Sequence, residues 1–192
     1  GKKSRYEYLR SLPCLQAQMI EANKKRRIKN RLSLRQIIEA SRKYKILVEL
    51  NEPVNVFQEP KSSGDGWRTI QDFGPVVRGA QRMIAVLLQM AYTPAPHQYN
   101  RLGVCEAITE AVRLITEEGH THVAELDITS HYPSFLTEEL VKALPLPKSA
   151  ILQIVAASSA QWETQPPHTP LGHYNHLFHT PSLGIPQGSA AS

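Results

Sequence analysis

Three stretches of this chain combine residue types and spacings that could do chemistry. The first is His122-Val123-Ala124-Glu125-Leu126-Asp127-Ile128. Read as a strand, it places Val123, Glu125 and Asp127 on one face and Ala124, Leu126 and Ile128 on the other. A carboxylate at the end of such a strand, beside buried apolar neighbours, is well placed to hold a magnesium ion through hard oxygen ligands. A lone aspartate also caps helices and ends strands, and for the run on its own that role is the more common one. The second stretch is Gly184-Ile185-Pro186-Gln187-Gly188-Ser189. Here Pro186 fixes a turn before a helix starting at Ser189, and Gly188 lets another backbone come close; a plain surface turn has the same composition. The third is His173-x-x-His176-x-x-His179, with His168 nearby. Threefold spacing does not put these imidazoles on one face, and no cysteine or acid joins them, so a polar insertion is preferred over a metal cluster.

These residues need elements to carry them. Residues 4–22 read as helical, with a start or kink at Pro13. Ser33 caps a second helix through Leu34, Ile37, Ile38 and Ala40. Pro53, Pro60, Ser62, Ser63 and Gly64 break the pattern, and the main boundary falls between Asn51 and Asp65. Val54-Asn55-Val56-Phe57 and Trp67-Arg68-Thr69-Ile70 alternate as two strands of a hairpin. Val77–Ala91 reads as a helix with Ala80, Ile84, Leu87 and Leu88 inward. Val104–Glu118 is the clearest helix, closed by Gly119. Thr137 caps a short helix over Thr137–Leu140, and Lys148–Ser159 forms another. Residues 161–182, rich in Pro and His, read as an insertion.

Composition narrows the function class. The 192 residues and 41% hydrophobic content describe a folded chain with room for a core. No apolar run is long enough to cross a bilayer, and the basic first segment lacks the build of a signal peptide. Cys14 and Cys105 are the only cysteines, which excludes a disulfide framework and fits a cytoplasmic setting. The net charge of +5 is unevenly spread. Residues 1–45 hold fourteen of the 22 Lys and Arg against three acids, a net +11; residues 46–192 hold the other eight against fourteen acids, a net −6. The densest stretch, Lys24-Lys25-Arg26-Arg27-Ile28-Lys29-Asn30-Arg31, is a candidate phosphate-binding element, although a solvated helix face has the same look.

Taken together, residues 61–192 resemble the fingers and palm of reverse transcriptases. Lys61-Ser62-Ser63-Gly64-Asp65-Gly66-Trp67-Arg68-Thr69-Ile70 is similar to the family's fingers hairpin. The resemblance implies that Arg68, and Lys61 with it, clamp the triphosphate of an incoming dNTP, a task suited to groups that neutralise phosphate and donate several hydrogen bonds. Asp127 matches the first metal-binding aspartate, with the backbone carbonyl of Ile128 as a further magnesium ligand. Tyr132 matches the aromatic that excludes a 2′-hydroxyl by filling its volume, which implies deoxynucleotides. His131 departs from the aromatic common at that place in bacterial members. Gln187 and Gly188 match the motif that positions the nascent pair and lets the backbone approach the template. Arg78-Gly79-Ala80-Gln81 resembles the Arg-x-x-Gln that opens the next helix. Asn100-Arg101-Leu102-Gly103 resembles the connecting motif, where Arg101 would approach the template strand.

The implied fold is α/β (α+β), a right-hand fingers and palm with an antiparallel palm sheet backed by helices as a split β-α-β unit. Its parts are a basic helical extension (1–45), fingers (46–100) and a palm (101–192) incomplete at its C-terminal side. The family's other two metal-binding acids lie in a paired-acid turn after the Pro-Gln-Gly motif; this sequence has no adjacent Asp-Asp, so the stretch alone is expected to be inactive. The implied function is RNA-directed DNA polymerisation with magnesium, using an RNA template, a DNA primer or product and dNTP. A structured non-coding RNA would lie on the basic N-terminus, and no membrane is involved. Bacterial or phage branches fit best: group II intron, retron, diversity-generating and antiphage-defence types all remain open, although Ser189-Ala190-Ala191-Ser192 is not the retron pattern. The rivals are an RNA-binding scaffold of the same fold without catalysis, and another palm polymerase making RNA or copying DNA. The sequence leaves the oligomeric state open.

Overall fold

The computed structural model describes residues 2–43, 45–48, 50–60, 67–95, 98–99, 102–126, 131, 134–158 and 161–164. The chain mixes helices and strands in two compact units, 1–88 with 130–192, and 89–129.

In the larger unit the chain begins with α1 (Lys2–Arg10) and α2 (Leu12–Lys24). The break between them is Ser11, whose hydroxyl accepts the Cys14 N–H at 3.4 Å while Pro13 takes a first-turn position where its missing N–H costs nothing. After a 3₁₀ turn at Ile28–Asn30 comes α3 (Leu34–Lys43). Its start is a capping box: the Gln36 N–H donates to the Ser33 hydroxyl at 3.3 Å, and the Ser33 N–H donates back to Gln36 Oε1 at 2.8 Å. The expected cap at Ser33 is therefore present, with Gln36 as its partner.

The intervening loop is tied at its base. The Asn23 amide donates to the Leu32 carbonyl at 2.8 Å and accepts the Leu32 N–H at 2.9 Å, pairing with both backbone groups of one residue. Arg31 braces the same loop, donating Nε to the Arg26 carbonyl at 3.1 Å and Nη2 to the Lys24 carbonyl at 2.7 Å. These bonds satisfy carbonyls that the end of α2 leaves open.

The hairpin expected from the alternating pattern is formed by β1 (Pro53–Pro60) and β2 (Trp67–Phe73), antiparallel, with Val54 opposite Phe73 and Val56 opposite Gln71. Val54, Val56 and Phe73 face the core, as period-two alternation requires. β2 leads directly into α4 (Pro75–Ala91), whose Ala80, Met83, Ile84 and Leu87 are buried and whose Leu88 is half-buried. At Gly79, α2 passes so close that a Cβ would stand 2.5 Å from Met19 Cγ.

In the smaller unit, α5 (Val104–Thr116) fills most of the helix expected over Val104–Glu118. Gly119 takes φ 74°, and the chain turns so that the His120 N–H reaches back to the Leu114 carbonyl at 3.2 Å. Among the described residues of this unit none is buried, and the apolar stripe Val104, Ile108, Val112, Ile115 is exposed. The strand expected over His122–Ile128 is not formed where the chain is described. Residues 120–126 have no ladder partner, and Val123 and Leu126 are 81% and 93% exposed. Alternation specifies which face a strand buries, but a strand exists only where another edge pairs with it.

Returning to the larger unit, α6 (Thr137–Ala143) has Leu136 rather than Thr137 at its cap position. The helix expected over Lys148–Ser159 is a single turn, α7 (Lys148–Ala150), running into a π turn at Ile151–Val155 with Ile151, Ile154 and Val155 buried. The first residues of the expected insertion are instead a strand, β3 (Gln161–Thr164), parallel to β1. The sheet order is β2-β1-β3. It is the only sheet among the described residues, an antiparallel pair with β3 added in parallel.

Replacing Asn23 with Ala removes both bonds to Leu32 and leaves a half-buried N–H and C=O to find water. We expect a loss of about 1–3 kcal/mol in urea unfolding; an unchanged midpoint would mean that the loop is held by Arg31 alone.

Candidate functional site

The joint between the hairpin and α4 is the best-defined part of the candidate site. α4 opens on Pro75, which has no N–H, and the first intrahelical bond runs from the Arg78 N–H to the Gly74 carbonyl at 3.0 Å. The two remaining N–H groups of the first turn, on Val76 and Val77, donate to the two carboxylate oxygens of Glu52 at 3.2 and 2.7 Å. Glu52 is 6% exposed. Burial pushes its carboxyl above the ordinary value, and the bonds from Val77 and Val76 and the charges of Arg26 and Lys43 pull it partly back. The carboxylate lies where a side chain on Gly74 would go, since an added Cβ would overlap Glu52 Cδ.

Arg78 ties the same joint from the solvent side. Its Nε donates to the Phe73 carbonyl at 2.8 Å, and its Nη2 pairs with Asp72. The first residue of the Arg-x-x-Gln motif is thus engaged with the end of β2, and the last, Gln81, is fully buried in α4. Arg68 lies in β2, its backbone opposite Glu59, six residues before the Gly74 turn. The strand that carries it is therefore anchored through Phe73, Arg78 and Glu52 to the start of α4.

The other residues expected from the sequence are not brought together by what the structure describes. Lys61, Arg101, Asp127, Ile128, Tyr132, Gln187 and Gly188 lie outside the described residues, as do His168, His173, His176 and His179. Near Arg101, Gly103 holds the cap position of α5 with φ 97°. The His131 ring meets Phe135 edge-on, with centroids 5.0 Å apart. Among the described residues no three His, Cys, Asp or Glu side chains converge on a point that could hold a metal ion. Nor is any described helix long and apolar enough to cross a membrane.

The basic N-terminal segment divides into bracing and available cations. Arg31 is spent on carbonyls, Lys24 pairs with Glu21 at 2.6 Å, and Arg35 pairs with Glu39 at 2.9 Å. The Lys24 ammonium holds the Glu21 carboxyl below its ordinary value. Lys25, Arg27 and Lys29 are exposed and form no ion pair among the described residues. With no acid between Lys24 and Arg31, this tied loop presents one sign of charge.

Comparisons with protein-family models, with curated proteins and with solved structures find no match for this chain. The site therefore rests on its own residues. Sequence reasoning missed Glu52, because a cap supplied 24 residues upstream leaves no local signature. It also missed the Asn23 clamp, although an Asn at the edge of a basic turn is a known backbone mimic.

Two outcomes check the Glu52 cap. Gly74→Ala forces the carboxylate off Val76 and Val77 and should cost about 1–3 kcal/mol in thermal or urea unfolding. A carboxyl whose value is raised on folding adds stability below its unfolded value and loses it as pH rises through the folded one. The stability of the wild type relative to Glu52→Gln should therefore increase as pH falls from neutral through the carboxylate range. A relative stability that grows with rising pH would mean that the helix N–H groups outweigh burial.

Proposed function

We propose that this chain is the fingers and part of the palm of a nucleic-acid polymerase of the reverse-transcriptase type, copying RNA into DNA. The observation that carries the reading is the order of its motifs. A hairpin bearing Arg68 and an Arg-x-x-Gln helix start come first, then Asp127 with Tyr132 five residues later, then Pro186-Gln187-Gly188. Each alone is weak, and their combination in this order and spacing is what favours the function. The antiparallel hairpin β1–β2, running straight into α4 from a fixed joint, supports it with an element suited to closing on a phosphate chain.

In this reading Arg68, with Lys61, neutralises the triphosphate of the incoming dNTP. Tyr132 fills the space of a 2′-hydroxyl, Gln187 contacts the nascent pair, and Gly188 and Arg101 lie along the template. Asp127, with the carbonyl of Ile128, would hold magnesium, which when bound lowers the charge barrier to attack by the primer hydroxyl. Lys25, Arg27 and Lys29 would contact template or structured RNA through phosphates, without reading sequence. Their exposure and lack of acid partners also support the second reading, an RNA-binding scaffold of the same fold. A cytoplasmic, antiphage or mobile-element setting belongs to the proposal as well.

The test uses the protein expressed from its complete reading frame, with magnesium, a primed RNA template and labelled dNTP. We expect template-dependent extension that falls about a thousandfold in Asp127→Ala, the loss of several kcal/mol of transition-state stabilisation. RNA binding without extension on RNA or DNA templates would overturn the polymerase in favour of the scaffold.

A further inference from the structure

α1 carries a second feature that the polymerase motifs do not use. Between it and the segment after α6 lies an open groove of 610 Å³, within the roughly 300–1,000 Å³ of small-ligand sites. One wall is a single face of α1, Lys3, Tyr6, Glu7 and Arg10, at helical spacing. The other is apolar, Pro145-Leu146-Pro147, and α1 fixes it through Arg5 Nη1, which donates to the Pro145 carbonyl at 2.8 Å. Tyr6 is 40% exposed, and the Arg10 guanidinium lies over its ring, 5.5 Å from the centroid. Lys3 and Arg10 are exposed and form no ion pair among the described residues. Among the described lining residues, Glu7 is the one acidic acceptor.

An aromatic ring and an apolar Pro-Leu-Pro wall lining one groove, with two cations and one acceptor, match the parts of a nucleotide. Bases stack on aromatic rings whatever their identity, and cations track the phosphates. We infer that this groove binds one nucleotide unit of single-stranded RNA, its base between Tyr6 and Leu146 and its phosphate on Lys3 and Arg10. Glu7 then accepts from an exocyclic amino group of the base. The site selects single strands because a duplex keeps its bases stacked on one another and offers no free face. It deepens the reading that this chain handles RNA, and it lies between the basic extension and the Pro145–Pro147 stretch, outside the catalytic motifs.

The test measures anisotropy of a labelled oligoadenylate with the full chain, without primer or dNTP, so that loss of polymerase activity cannot mimic loss of binding. Tyr6→Ala should weaken single-strand binding about tenfold and leave RNA duplex binding unchanged, while Tyr6→Phe restores it. Lys3→Gln and Arg10→Gln should each lower the slope of affinity against salt by about one phosphate contact. Substituting Lys25, Arg27 and Lys29 with Gln should instead weaken single strand and duplex alike, which separates this site from the general RNA surface. Unchanged oligoadenylate affinity in Tyr6→Ala, at an unchanged melting temperature, overturns the groove. So does adenosine monophosphate binding as tightly as the strand, since that would make it a site for free nucleotides.

Discussion

A helix that opens on proline still presents two N–H groups, at its second and third positions, that its own backbone cannot satisfy. In this molecule both are met by one carboxylate, Glu52, reaching in from the residue before β1. The arrangement costs the burial of a charge, reflected in a carboxyl held above its ordinary value. In return it welds three things together: the start of β1, the turn after β2 and the first turn of α4. Gly74 is small because the carboxylate occupies the space beside it. Arg78 closes the joint from the other side through the Phe73 carbonyl and Asp72. The strand that carries Arg68 is tied to α4 through this joint.

The same economy governs the basic segment. Its charge looks uniform along the sequence, yet the cations do different work. Arg31 is a structural brace, Lys24 and Arg35 are neutralised by acids one helical turn away, and Lys25, Arg27 and Lys29 remain outward. Ion pairs between exposed side chains add little to stability. What holds the loop is the Asn23 amide and the Arg31 fork on backbone groups, neither of which depends on salt as surface charge does. A loop fixed by hydrogen bonds can therefore keep its shape at ionic strengths where its outward charges are screened.

Local signals in the sequence were the ones that proved readable. Ser33 marks its helix because its cap partner is three residues away, and Val54 and Val56 mark a strand because alternation needs no knowledge of the rest. Pro13 and Gly119 punctuate where steric rules say they must. The errors come from long-range partners. Glu52 caps across 24 residues, β3 was hidden inside a Pro- and His-rich stretch, and residues 122–126 carry a strand pattern without a neighbouring edge to pair with. Of the candidate site, Arg68 and Arg78 fall on elements of the expected kind, while Asp127, Tyr132 and Gln187 stand on motif resemblance alone.

The parallel pairing of β1 with β3 has a bearing on how the chain is made. About a hundred residues separate Pro53 from its partner Gln161, so this part of the sheet closes late and contributes a high contact order. At ordinary translation speed that interval corresponds to about 5–20 s on the ribosome. Throughout it, the hairpin can form and α4 can dock, but one edge of β1 keeps its N–H and C=O groups unpaired. An open edge is a template for the wrong strand. The nascent chain thus carries a window of vulnerability, set by the spacing of its own elements, in which yield depends on how quickly β3 arrives.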